Sequence, residues 1–180
     1  MLYLLASLVG ILFGGAVEHV GSLAFGPWGW TTSQLSAPWL LLPFAFGTTE
    51  RRAPNAAALG MIVSLFGLTG YVLMLSVAAG GAHGPTALVV LHEAGTQARW
   101  LLAGAVTGPL YGVLGQRWRV SHWWPSALLA AGALTFEPLT LAVVGRTFGP
   151  VGVYFIETAA GLALAAFFVL TGRRQGPATP

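Results

Sequence analysis

The sequence predicts an all-α protein: a polytopic membrane bundle of six transmembrane helices with both termini in the cytoplasm. Three observations lead there. Eight Arg and five Glu are the only charged side chains among 180 residues, with no Lys and no Asp. Hydrophobic residues make up 56 % of the chain and mean hydropathy is +0.76. An ordinary soluble globule carries about 25 % charged residues, and a disordered chain needs few apolar ones, so neither fits. Finally, the apolar residues fall into six runs separated by Gly, Pro and Arg. A spanning helix takes about 20 residues, so six use about 120 positions and leave short loops, with no room for a soluble catalytic domain.

The first segment runs from Leu2 to Gly21. No Lys or Arg precedes it and no small-residue cleavage pattern follows, so it reads as a retained helix and not a signal peptide. Ala6, Gly10 and Gly14 recur every four residues along it, a stripe that admits another helix closely. Gly26-Pro27-Trp28-Gly29-Trp30 reads as an interfacial loop. The second segment, Ser36 to Thr48, is short and carries Pro38 and Pro43. Glu50 to Asn55 forms a polar turn with Arg51 and Arg52. The third segment, Ala56 to Ala79, ends at Gly80-Gly81. Residues 86–91 are apolar but too short to span, which leaves an interfacial or re-entrant piece or a loop cap. The fourth segment, Ala98 to Gly115, contains Pro109 and ends in a basic turn, Gln116 to His122. The fifth, Trp123 to Val144, contains Pro138. After the turn at 145–150, the sixth runs from Val151 to Leu170. Residues 1–172 thus form one transmembrane domain and 173–180 a mobile cytoplasmic tail.

Arginine counting orients the bundle. With six spans, Arg51, Arg52, Arg117, Arg119, Arg173 and Arg174 share one side, and only Arg99 and Arg146 lie on the other. The rich side is cytoplasmic, so the chain is a multi-pass protein of the plasma membrane. Trp28, Trp30, Trp39 and Trp100 then fall near the outer surface and Trp118, Trp123 and Trp124 near the inner one, the usual aromatic belt. The basic pI reflects this topology and not nucleic-acid binding. The absence of cysteine excludes disulfides, thiolate nucleophiles and Cys-ligated metals.

Ionisable groups inside a span cost about 2.5–3.5 kcal/mol on insertion scales and call for a reason. Glu18 and His19 lie near the outer end of the first segment. Glu137 and Glu157 lie deeper, at about equal distances from the 145–150 turn, and so at matching depth. Arg99 opens the fourth segment. One arrangement is a polar pocket open to the outer face, lined by Glu18, His19, Arg99, Glu137 and Glu157, which binds or passes a small solute. The other is a set of structural pairs holding helices in register. Two adjacent carboxylates cannot both ionise cheaply, so one is expected to be protonated or paired with Arg99. Pro138 and Pro109 free the carbonyls of Leu134 and Ala105, local acceptors of the kind that binding sites use.

Catalytic signatures are sparse. His92-Glu93 opens like a zinc-protease helix, but Thr96 stands where the second His belongs. There is no Walker loop and no Gly-x-Ser-x-Gly elbow. No metal or cofactor is called for.

From the fourth segment on, Arg99 to Gly104, Gly108-Pro109-Leu110-Tyr111-Gly112, the Glu137 segment and the Tyr154 to Glu157 stretch resemble a family of small six-helix integral membrane proteins of actinobacteria. That resemblance implies the architecture and no particular activity. In size, helix count, terminus placement and first-helix stripe, the chain is also similar to the substrate-binding subunits of energy-coupling-factor transporters. There the stripe contacts a coupling subunit, which implies a membrane-protein partner for Ala6, Gly10 and Gly14. The expected partners are therefore the bilayer, a small-molecule ligand and such a protein, without nucleic acid. Two alternatives stand beside solute binding or translocation. One is an intramembrane enzyme working on a lipophilic, isoprenoid-like substrate by carboxylate acid–base chemistry. The other is a non-catalytic accessory protein.

Overall fold

The computed structural model describes residues 1–22, 26–33, 35–81, 84–145 and 149–173, with side chains through Thr171. Helices account for nearly all of them, and no strand occurs among the described residues. In chain order they are α1 (Leu2–Ser22), α2 (Pro27–Ser33), α3 (Ala37–Gly47), α4 (Ala53–Gly80), α5 (Ala87–Thr96), α6 (Ala98–Ser121), α7 (Trp124–Val143) and α8 (Val151–Arg173). By length and composition α1, α4, α7 and α8 can each cross a membrane. α6 has 24 residues, but Arg99, Arg117 and Arg119 near its ends keep it below that apolarity.

Several boundaries depart from the sequence expectation. Of the interfacial loop expected at 26–30, Pro27 to Trp30 are helical and open α2, with Gly26 in a turn at φ 57°. The segment expected at Ser36 to Thr48 is α3, 11 residues and about 16 Å long, and α2 precedes it as a separate short helix, with Leu35 and Ser36 in neither. Pro38 explains the break. In a continuous helix its ring would strike the carbonyl of residue 34, whereas in the first turn of a new helix its missing N–H is no loss. Residues 86–91 begin the ten-residue α5, whose Thr86 hydroxyl accepts from the Val89 amide, so His92 and Glu93 are helical and not in a loop. The basic turn is mostly the end of α6, which stops at His122 in the left-handed region, φ 47°. α8 continues to Arg173, the first residue of the expected tail at 173–180, and the rest of that tail lies outside the described residues. So does Arg146 in the 145–150 turn.

Small residues decide which helices meet. Ala6 packs with Leu59 and Val63, a Cβ on Gly10 would press on the Val63 carbonyl, and one on Gly14 would overlap the Gly67 carbonyl. α1 and α4 therefore run parallel, and the stripe is covered by α4 of the same chain. Gly108 and Gly112 of α6 meet Gly60 and Ala56 of α4 in antiparallel register. Gly161 of α8 seats against Leu134 and Thr135 of α7, and Phe168 packs on Ala127, Ala130 and Ala131, again antiparallel. α3 wedges among α4, α6 and α7, with its Gly47 against Gly112. Close backbone approach of this kind is how helices associate in lipid, where burial of apolar side chains gains little.

The directions gather Met1, Thr48 to Arg52, Arg117 to Trp124 and the end of α8 at one end, hereafter the basic end; α2 and α5 lie at the far end. Large apolar side chains face outward all round, among them Leu4, Leu8, Leu102, Val106, Phe155 and Leu162. Trp28, Trp30, Trp100, Trp123 and Trp124 are exposed, as a belt requires. Trp39 is not part of it. Its ring lies edge-on to Phe13 at 5.0 Å and to Tyr71 at 6.1 Å, in the seam of α1, α3 and α4.

Candidate functional site: a buried carboxyl pair at a broken helix

Breaking a helix inside a bundle exposes backbone amides with no intrahelical acceptor. At the start of α3 these are the N–H groups of Ser36 and Ala37, and both point at α7. Glu137 meets them. Its Oε1 accepts from the Ser36 amide at 2.6 Å and from the Ser36 hydroxyl at 2.6 Å, and its Oε2 accepts from the Ala37 amide at 2.7 Å. The carboxylate is buried, 9 % exposed. It caps α3 from another helix, at the end where the helix dipole favours negative charge. Glu137 lies 13 residues past Trp124, so the cap sits about 20 Å along α7 from its basic-end start.

Glu157 of α8 faces the same place. It is 4 % exposed, and neither carboxyl oxygen receives a hydrogen bond among the described residues. The group it interacts with is the Glu137 carboxyl. The two deep carboxyls of the sequence analysis are therefore brought together, in very different company: three donors converge on Glu137 and none on Glu157.

Apolar layers bound the pair. On the far-end side stand Leu35, Val153 and Tyr154, buried, with Leu141 packed on them. On the basic-end side lies the cluster of Phe44, Leu114, Ala127, Ala130, Ala131 and Phe168.

The other expected site residues are placed elsewhere. Glu18 is buried on α1 against the Tyr71 hydroxyl of α4. That seam is distinct from the α3–α7–α8 junction. His19 is exposed beside it. Arg99 is exposed with its guanidinium 5.3 Å from the Trp100 ring centroid, stacked there instead of paired with a membrane carboxylate. The single pocket expected from Glu18, His19, Arg99, Glu137 and Glu157 is thus resolved into the Glu137–Glu157 pair, a Glu18–Tyr71 contact and two surface side chains. No group of three His, Asp or Glu side chains suited to a metal occurs among the described residues.

Sequence reasoning missed Ser36 and Tyr71. Ser36 was legible: a Ser two residues ahead of Pro38 marks a helix start, and such a start inside a membrane needs an acceptor. Tyr71 carries no such signal, since a Tyr in an apolar run is ordinary. Comparison with known proteins yields no matching family, no similar characterised protein and no similar solved structure.

Proposed function

We propose that the chain is a six-span protein of the plasma membrane that binds or translocates a small solute, with Glu137 and Glu157 as its working site. The crossings are α1, α2 and α3 together, α4, α6, α7 and α8. Both termini lie in the cytoplasm, an orientation supported by the gathering of Arg51, Arg52, Arg117 and Arg119 at one end. The observation that carries the function is Glu157. A carboxyl that only braced two helices would be expected to have a donor, because buried polar groups in native proteins nearly always do. Among the described residues Glu157 has none, and it lies against a carboxylate already holding three. The donor set stabilises one negative charge, on Glu137, so the open acceptors of Glu157 await a proton or a solute bearing N–H or O–H groups. Discontinuous helices with their N-termini at mid-membrane recur where transporters hold charged groups.

One feature favours the accessory reading: Glu137 is fully engaged as a cap. The two separate on Glu157→Gln. Purified protein is screened by thermal shift against small amines, polyols and carboxylic acids, and proteoliposomes carrying an internal pH dye report flux. Solute binding predicts a hit or a flux that Glu157→Gln abolishes while its unliganded melt stays within a few degrees. A variant that retains every hit and flux overturns the assignment.

A further inference from the structure

A cleft of about 510 Å³ opens at the basic end between the C-terminal parts of α3, α6 and α8. Its walls are apolar: Leu41 and Phe44 from α3, Leu164, Phe167 and Phe168 from α8. Polar groups gather where the helices end, as Thr48, Arg119 and His122. Arg119 is exposed yet held: one terminal nitrogen donates to the carbonyls of Thr48 at 2.9 Å and Thr49 at 2.8 Å. That grip aligns the rest of the guanidinium fork at the rim. His122 closes α6 at φ 47°, and its ring lies edge-on to Trp118 at 5.4 Å; Trp118 in turn lies edge-on to Phe168 at 4.9 Å. The imidazole is thereby fixed over the mouth of the cleft, in a backbone conformation that Gly adopts without strain and His does not.

An apolar slot with a cationic, donor-bearing rim fits an amphiphile with an anionic head. The occupant follows from the surroundings. A slot of Leu and Phe side chains beside lipid fills with hydrocarbon, and basic pockets between helices on the cytoplasmic side suit anionic headgroups. We propose that this cleft binds an anionic phospholipid, with its phosphate on Arg119 and His122 and an acyl chain along Phe44, Phe167 and Phe168. A plain cap on α3 would need only the one Arg119 nitrogen; it would need neither a strained His beside it nor an apolar slot beneath. The inference does not depend on the role of Glu137 and Glu157.

The test is retention of lipid by the intact protein in detergent. Phosphatidylglycerol and phosphatidylcholine of identical chains are titrated and read by native mass spectrometry and by melting temperature. Wild type is expected to prefer phosphatidylglycerol. His122→Gly is expected to fold at least as well, since Gly suits φ 47°, and to lose about tenfold in phosphatidylglycerol affinity, the equivalent of one charge-assisted hydrogen bond. Arg119→Gln is expected to lose more, and Phe167→Ser to weaken both lipids. Inorganic phosphate is expected neither to shift the melt nor to compete. Equal binding of the two lipids, unaltered phosphatidylglycerol binding by a folded His122→Gly, or an equal effect of phosphate alone overturns the proposal.

Discussion

Glu137 and Glu157 are the same residue type at the same depth, yet conservative replacement should affect them in opposite ways. In Glu137→Gln the amide oxygen can keep the two Ser36 donors or the Ala37 donor, but the amide nitrogen then faces the rest. At least one buried backbone or hydroxyl donor is left against another donor, at about 1–3 kcal/mol. The negative charge at the start of α3 is lost as well, an effect of up to about 2 kcal/mol in partly buried geometry. Together these give a loss of about 1–5 kcal/mol. In Glu157→Gln no donor among the described residues is stranded, because none of them is bound there. The new amide can donate to the Glu137 carboxylate, so the change is expected to range from neutral to a gain of about 1 kcal/mol. Ser36→Ala removes one of the three bonds and should fall between. Reversible denaturation in detergent, followed by tryptophan fluorescence, measures all three. The double variant adds a coupling term: with the Glu137 carboxylate gone, Glu157→Gln should lose its benefit. If Glu157→Gln destabilises as much as Glu137→Gln, or if Glu137→Gln is silent, the cap on α3 is not what the carboxylate does.

Three further outcomes are expected. Gly14→Ala should destabilise by about 1–3 kcal/mol or prevent folding, because its Cβ overlaps the Gly67 carbonyl, an overpacking α1 and α4 cannot relieve without separating. Gly15→Ala, one residue along, meets only the Gly70 carbonyl at 3.8 Å and should be neutral, and equal melts for the two would remove the α1–α4 seam. Tyr71→Phe should lower stability by about 1–3 kcal/mol by depriving Glu18 of its donor, with less effect in a Glu18→Gln background; full additivity in the double variant would contradict the contact. In a chain without native cysteine, Thr96→Cys should react with an impermeant maleimide on intact cells and Asn55→Cys only after permeabilisation, and the reverse pattern would invert the topology.

How much of this was legible in the sequence depends on whether the signal was local. Apolar runs, arginine bias and small-residue spacing are local, and the bounds of α1, α4, α7 and α8 follow from the runs to within three residues. The matching depth of Glu137 and Glu157 also follows, because two helices joined by a short turn fix their own register. Arg99 failed as a partner because an Arg at a helix end reaches the surface and stacks on its neighbouring Trp100, which costs less than burying its charge. Glu18 failed to join the pair because α1 is drawn onto α4 by Gly10 and Gly14, a tertiary choice that the stripe announces without naming its partner.

The break at Pro38 links these levels. A proline read as a generic membrane-helix residue explains nothing about Glu137. Read as the residue whose ring a continuous helix cannot accommodate, it leaves the Ser36 and Ala37 amides without intrahelical acceptors, level with a point about 20 Å along α7. A carboxylate from another helix satisfies them, accepting from both amides and from the Ser36 hydroxyl. One Glu therefore has a sufficient structural reason to be there. The second is not explained that way: α3 is already capped, and among the described residues no donor reaches Glu157, whose neighbour is the Glu137 carboxyl. The asymmetry between two neighbouring carboxyls, more than the presence of either, is what carries the proposal that Glu137 serves the fold and Glu157 the solute.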